Sequence, residues 1–299
     1  MDAECFGLHH ECTDAFVGVA ITLEMEMSES ALCTSLQDCQ KLKTVRWTGT
    51  RYLAGVDGVI SLTHNSTTKK YRYGQMQFRA VKASTLGYRL EITNSLRLSD
   101  EYLWGVSEVP SSWPEAALQA QAIASRTYAM NKAGIYRASC DCDLYGEISD
   151  QSFLGYAKET EKGWGQFWKA AVTNTAGLTI TQLGKPIAAY FTSSSGGLTE
   201  TAINAWGSEK SYTQTVADPA SVDSIMNPRF YQWDRSVSQE LVAKAFVLAD
   251  VVALEVVTRN LSGTVGTIRA TSSASVVKTL RGETFRSRTR IPSAYFDLV

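Results

Sequence analysis

The sequence predicts an α+β fold with a central buried alanine-rich helix packed against antiparallel β elements. Three observations carry that expectation. Short alternating segments, separated by glycines and polar turns, fill the stretch from Arg51 to Leu98. A long alanine-rich helical pattern follows, from Trp113 to about Lys132. Strand patterns then return near the C-terminal end. Strands and helices therefore come in blocks and do not alternate as in a doubly wound sheet.

Residues 1–50 read as irregular, except that Phe16-Val-Gly-Val-Ala-Ile-Thr-Leu23 alternates as a strand does. Tyr71-Arg-Tyr73, Met76 to Val81 and Tyr88 to Thr93 read as short strands, broken at Gly74 and Gly87. For the long helix, Ser112 is the expected N-cap and Glu115 completes a capping box. Pro114 falls in the first turn and Gly134 at the C-terminal stop. Ala116, Ala117, Ala120, Ala122 and Ala124 permit close packing around it. A second helix is expected over Gln166 to Thr175, ending at Gly177. A hairpin follows, with Leu178 to Thr181 and Ile187 to Phe191 flanking a turn over Leu183-Gly-Lys-Pro186. After the polar loop Thr192 to Glu200 come a short helix near Glu240 to Phe246 and strands at Val252 to Thr258, Thr264 to Thr271 and Ser275 to Leu280.

The chain has 299 residues, 44% of them hydrophobic and 20% charged, which suits a soluble globular protein with a sizeable core. A formal net charge of −1 argues against broad electrostatic binding of nucleic acid. A neutral polymer such as a sugar chain stays compatible, and the 7 Trp and 13 Tyr residues have flat faces that suit sugars, although most are expected in the core or at its rim. No run is long enough for a membrane span. The N-terminal MDAECFGLHHECTDAF lacks the basic and apolar regions of a secretory signal, which fits either an intracellular protein or a leader absent from this sequence.

Cysteines stand at Cys5, Cys12, Cys33, Cys39, Cys140 and Cys142. Their crowding near the N-terminus points to a disulfide-stapled segment and an oxidising compartment. Cys5, His9, His10 and Cys12, or the Cys140-Asp-Cys142 pair, could instead bind zinc, but their spacing matches no common zinc pattern. Disulfides are expected, with no metal and no cofactor.

The three histidines, His9, His10 and His64, all precede the helical region. There is no HExxH, GxSxG, Walker loop or GxGxxG, so neither triad hydrolysis, histidine-bound zinc nor nucleotide chemistry finds support. Carboxylates remain. Glu108 lies in the mostly apolar stretch Tyr102 to Pro110, with Trp104 and Trp113 to either side. A carboxyl group held against aromatic rings is desolvated, which favours its neutral form and lets it act as a general acid. On composition alone, a solvated connector residue is the plainer reading. The loop Ser193 to Glu200 is the second candidate: its glycines let a ligand approach the backbone, and its serines and Thr199 offer hydroxyls that match those of a sugar.

The run GVSEVPSSWPEAALQAQAIASRTYA, Gly105 to Ala129, resembles the signature of the SpoIID/LytB family, in which a glutamate-hydrophobic-proline element precedes an alanine-rich helix ending in Arg-Thr-Tyr. Here these are Glu108-Val-Pro110 and Arg126-Thr-Tyr128. Further likenesses follow in order. They are Ser149 to Gly155, the helix and hairpin of Ala170 to Phe191, the Ser194-Ser-Gly-Gly-Leu-Thr-Glu200 loop, the segment Ser211 to Pro219, and Gly282 to Phe296, which resembles the domain's closing strand. The resemblance divides the chain into an N-terminal cysteine-containing segment, 1–70, and a SpoIID/LytB-like domain, 71–299.

What the resemblance implies is concrete. Members resembling stage II sporulation protein D are lytic transglycosylases. They cleave peptidoglycan glycan strands, preferably denuded of peptides, between N-acetylmuramic acid and N-acetylglucosamine, and leave 1,6-anhydro ends. Others are enhancers of a cell-wall amidase. The family glutamate maps to Glu108 as general acid and base. Ser194, Ser195, Gly196, Thr199 and Tyr212 are the implied substrate-binding residues, and Arg126 the supporting one. Gln214 stands where some members carry lysine. The implied location is extracytoplasmic or wall-associated, with glycan strands, and in some members an amidase, as partners. A single carboxylate suffices because the substrate supplies the nucleophile, whereas hydrolytic glycosidases use two.

Overall fold

The computed structural model describes residues 16–21, 26–27, 45–48, 59–64, 67–82 and 88–299. The N-terminal cysteines, His9 and His10 lie outside these residues, as do Leu23 and Gly87. The chain is mixed α+β, as expected, and forms two compact units, 1–191 and 192–299.

In the first unit the main sheet uses β1 (Phe16–Ile21), β2 (Glu26–Met27) and β3 (Val45–Thr48) from the N-terminal segment. The hairpin of β4 (Ile60–His64) and β5 (Thr67–Tyr71) stands apart from that sheet. The sheet is completed by β6 (Gln75–Lys82), β7 (Tyr88–Arg97) and β8 (Leu144–Tyr145), in the order β3-β6-β7-β1-β8, with β2 also on β7. β6 and β7 run antiparallel from Gln75↔Ser95 to Lys82↔Tyr88, and β1 lies on the other edge of β7. Segment 1–70 thus shares a sheet with strands of 71–299. The strand expected at Tyr71 to Tyr73 stops at Tyr71 because the chain turns at Gly74. That residue has φ +72, and a Cβ on it would meet the Ser95 carbonyl oxygen at 2.1 Å.

The long helix, α1 (Glu115–Lys132), buries Leu118, Ala122, Ser125, Arg126 and Ala129, a helical spacing that faces one side inward. The expected capping box does not form. Pro110 to Trp113 close a turn of their own, with the Trp113 amide on the Pro110 carbonyl at 3.2 Å, so Ser112 sits in that turn. Pro114 is the N-cap, with its carbonyl accepting from Ala117 and Leu118, while Glu115 takes a hydrogen bond from Gln119. α2 (Gly165–Asn174) packs on α1 through Trp168, Ala171 and Val172. Trp168 is fully buried and donates its indole N–H to the Leu103 carbonyl at 2.8 Å, so its burial, worth about 2–3 kcal/mol, leaves no polar atom unpaired. The hairpin is shorter than expected. β9 (Thr181–Gln182) and β10 (Lys185–Pro186) meet through a two-residue turn at Leu183 (φ 50) and Gly184 (φ 75), so Lys185 and Pro186 are strand and not turn. Cys140 and Cys142 are joined by a disulfide.

The second unit holds α3 (Ala202–Trp206), α4 (Gln239–Phe246) and an antiparallel sheet in the order β11-β12-β13, with β11 (Ala253–Arg259), β12 (Val265–Thr271) and β13 (Val277–Arg281). The Ser238 hydroxyl caps α4 by accepting the Leu241 amide. The expected closing strand at Gly282 to Phe296 does not form: Gly282–Thr289 is a helix, α5, and residues 290–296 after it are irregular. Phe285 and Thr289, four residues apart, both point inward, and Phe285 packs on Phe246 and Phe296 at 5.9 and 5.7 Å. Gly282, Phe285 and Thr289 are buried while Ser287 between the last two is exposed, an i, i+3, i+7 spacing that suits a helix and not the alternation of a strand.

Candidate active site

Glu108 is positioned by the segment that precedes it. After β7 the chain passes through a tight helical turn in which Tyr102 and Leu103 are fully buried. Gly105 then lies flat on Phe153, where a Cβ would come within 2.3 Å of the ring. Residues 105–107 run antiparallel to 152–154. The Leu154 amide donates to the Gly105 carbonyl at 2.8 Å, and the Ser107 amide donates to the Ser152 carbonyl at 2.7 Å. The Ser152 amide donates to Glu108 Oε1 at 2.6 Å, so the side chain takes the place of a backbone acceptor in this short ladder. Beneath it, Tyr102 stacks on Phe153 at 5.6 Å and donates its hydroxyl to the fully buried Gln151 at 2.7 Å.

The other side of Glu108 is clamped as well. The Lys158 ammonium, 1% exposed, donates to the Val109 carbonyl at 2.6 Å and pairs with Glu161 at 2.7 Å. The same Glu161 oxygen accepts the Ser111 hydroxyl at 2.6 Å and its amide at 3.2 Å. Burial alone would raise the Glu161 carboxyl, but Lys158 and Ser111 outweigh it and hold the group below the usual carboxylate range.

Glu108 shows the opposite balance. Burial raises its carboxyl above the ordinary value, and the single Ser152 amide only partly offsets that rise. Among the described residues no cation pairs with it. The group keeps its proton to a higher pH than a solvated glutamate does, as a general acid requires. The expected indole shelter takes a different form. Trp104 packs edge-on against Tyr73 at 5.3 Å and under the Lys169 ammonium at 4.1 Å, while Trp113 is 49% exposed. The carboxylate's partner is the Ser152 strand.

The Arg126-Thr-Tyr128 motif forms three ties. Arg126, 2% exposed, donates to the Val172 and Leu178 carbonyls and to the Thr175 hydroxyl at the end of α2. Thr127 accepts the Ile180 amide at 3.0 Å. Tyr128 donates to Asp150 at 2.9 Å. Asp150 also takes Arg137 through both of its oxygens, at 2.5 and 2.9 Å, together with the Tyr145 amide. This anchors to α1 the loop that delivers Ser152. Sequence reasoning missed Ser152, Lys158 and Glu161. The i, i+3 spacing of Lys158 and Glu161 was a visible signal for their pairing, but nothing marked the pair as buried.

In the second unit the Ser-Gly-Gly loop is bound into its own surroundings. Ser194 accepts from Asn227 at 3.0 Å, and Ser195 donates to Asp218 at 2.8 Å. Gly196 (φ 79) and Gly197 (φ 107) need the left-handed region, and the Tyr295 ring packs over Gly196. Thr199 donates its hydroxyl to the Gln214 carbonyl at 2.6 Å and accepts the Val216 amide at 2.9 Å. Tyr212 is partly buried in the segment that precedes Gln214. Glu200 closes the loop. It accepts from Ser262 at 2.5 Å, Asn260 at 3.1 Å, Asn204 at 2.9 Å and the Thr201 amide at 2.8 Å, and also from Thr264. Burial would raise its carboxyl, but these donors outweigh burial and lower it. Among the described residues, no group of three His, Cys, Asp or Glu side chains is placed to hold a metal ion, and no helix is long and apolar enough to cross a membrane.

Fold and site together give an α+β protein in which the Glu108 carboxyl is raised by burial on a loop braced by Ser152 and Lys158. Residues 87–182 match the family model described as SpoIID, stage II sporulation protein. Stage II sporulation protein D of Bacillus subtilis (strain 168) is 29% identical over 217 residues, 66% of this chain and 59% of that protein. Its counterpart in Bacillus amyloliquefaciens is 29% identical over 218 residues, again 66% and 59%. The amidase enhancer of Bacillus subtilis (strain 168) is 32% identical over 106 residues, 36% of this chain and 13% of that protein. The chain thus spans about three fifths of the length of the sporulation proteins it matches.

Proposed function

We propose that this chain is a lytic transglycosylase of peptidoglycan glycan strands and that Glu108 is its single general acid and base. The observation that supports this most is the raised carboxyl of Glu108, which pairs with no cation among the described residues and is fixed between the Ser152 ladder and the Lys158 clamp. In the first step Glu108 gives its proton to the glycosidic oxygen as the bond from the muramoyl anomeric carbon breaks. The Ser152 amide then stabilises the carboxylate left behind. In the second step that carboxylate takes the proton of the muramoyl 6-hydroxyl, whose oxygen closes on the anomeric carbon to form the 1,6-anhydro ring. No water is consumed, and the enzyme returns to its protonated state.

Ser194, Ser195, Gly196, Thr199 and Tyr212 serve this reading as substrate-binding residues, with Arg126 in support. A wall-side, oxidising location accords with the Cys140–Cys142 disulfide. The likeness to an amidase enhancer supports a second reading, in which the domain binds glycan without cutting it and assists an amidase. Denuded glycan strands incubated with the protein and analysed by mass spectrometry separate the two. Anhydro-ended fragments that vanish in Glu108→Gln support cleavage. Strand binding without fragments, together with a gain in amidase activity, would replace it with the enhancer.

A further inference from the structure

α2 treats its aromatic residues unequally. Trp168 is fully buried, whereas Trp164 and Phe167, on the same helix start, are each 47% exposed. Their rings lie 5.6 Å apart with a 36° tilt and so form a shallow V open to solvent. The chain reaches this position through two left-handed residues in succession, Lys162 (φ 44) and Gly163 (φ 78). A lysine adopts that conformation only at an energetic cost, so the display of Trp164 is built in and is not the by-product of a relaxed loop. The preceding residue is Glu161, whose side chain holds Ser111, three residues beyond Glu108. The aromatic pair and the Glu108 loop therefore rest on one bracket.

We infer that Trp164 and Phe167 form an aromatic platform that holds one sugar unit of the glycan strand, outside the residues that perform cleavage. This rests on the glycan reading above. Two rings offer at most a few hundred Å², far below the roughly 1,200 Å² of a stable protein interface. They match the apolar C–H face of a single pyranose. The exposed, polar Lys162 just before the pair and Gln166 between its two members suit the sugar's hydroxyls and amide. A partner that repeats the same small unit along its length can use such a platform at a distance from the scissile bond.

The test compares the full chain with the double variant Trp164→Ala/Phe167→Ala and with Trp164→Tyr/Phe167→Tyr. Binding to purified denuded glycan strands is measured by sedimentation, alongside thermal unfolding and product formation from a short tetrasaccharide. The alanine variant is expected to bind long strands about tenfold more weakly, with an unchanged melting temperature and unchanged turnover of the tetrasaccharide, and the tyrosine variant to restore binding. Equal strand affinity in the alanine variant overturns the platform and leaves the glycan reading standing. Intact strand binding with lost amidase binding overturns it in favour of a protein-docking surface. If the wild-type protein fails to bind strands at all, the glycan reading falls and the platform with it. Weakened binding in a protein that binds strands without cutting them supports the platform and removes only the cleavage step.

Discussion

Two glutamates, one in each compact unit, show how the same side chain is assigned opposite tasks. Glu108 accepts one backbone amide and is raised by burial. Glu200 accepts from Ser262, Thr264, Asn260, Asn204 and the Thr201 amide, and is lowered although it too is partly buried. Desolvation acts on both, so the supply of donors decides the outcome. A carboxylate saturated with donors is an anchor that holds its loop and gives up its proton early. One with a single donor holds its proton to a higher pH than a solvated glutamate does. Both are glutamates, and their surroundings alone separate the raised carboxyl from the lowered one.

The contrast is sharpest in the variant Glu108→Gln. The carboxamide oxygen can still accept the Ser152 amide, so the fold should survive while formation of anhydro products falls by about a thousandfold or more, read by mass spectrometry of digested strands. Next in size, Glu200→Ala strips acceptors from the buried Ser262 and Thr264 and should lower unfolding stability by about 3 kcal/mol, measured by denaturant titration. A small effect there would mean that Glu200 is no anchor. Lys158→Met removes the hold on Val109 and leaves Glu161 without its cation. The expected loss is about 2 kcal/mol in stability and about tenfold in kcat, with KM unchanged, from the kinetics of strand cleavage. An unaltered kcat would show that Val109 needs no clamp.

The smallest effect concerns pH. Because Glu108 is raised in the folded state, its contribution to stability is complete below the value of the unfolded chain and is lost as pH rises through the folded value. Glu108→Gln should therefore melt at the same temperature as the wild type in acid and at an equal or slightly higher one at neutral pH. Glu200 runs the other way. Its contribution is present above the ordinary glutamate range and is lost as pH falls through its lowered folded value. Thermal scans across pH 3 to 8, a range of about that width around the reference carboxylate values, read both signs. A neutral-pH penalty for Glu108→Gln would contradict the raised carboxyl.

Periodicity made much of the fold legible. Alternation located β1, β6 and β7, and the alanine-rich run located α1 within two residues of its start. Errors arose where a local rule met a competing contact. Ser112 has the right chemistry for a cap, but the Pro110 to Trp113 turn withdraws it. Over Gly282 to Thr289 the likeness to a family segment suggests strand, but burial falls on Gly282, Phe285 and Thr289 and skips Ser287, as in a helix. At the candidate site, the apolar neighbourhood of Glu108 and the motif around it single out this residue in the sequence as a candidate. Ser152 was not, because a backbone amide has no residue signature and lies 44 positions away. Lys158 in a sequence reads as a solvated surface cation, and only its place over Trp168 of α2, bonded to Val109 and Glu161, shows it buried.

The Cys140–Cys142 bond closes a ring around a single residue, Asp141. Restraint of the unfolded chain grows with the logarithm of the enclosed loop, so a ring this small hardly limits the denatured ensemble. Its effect is local. It works as a buckle that presents Asp141, in the left-handed region at φ 50, to Gln77 at 2.7 Å, Tyr136 at 2.9 Å and Arg79 at 3.4 Å. Through Gln77 and Arg79, this fastening ties the stretch after α1 to β6. A reducing medium would therefore loosen one corner of the main sheet and leave the core around Trp168 closed.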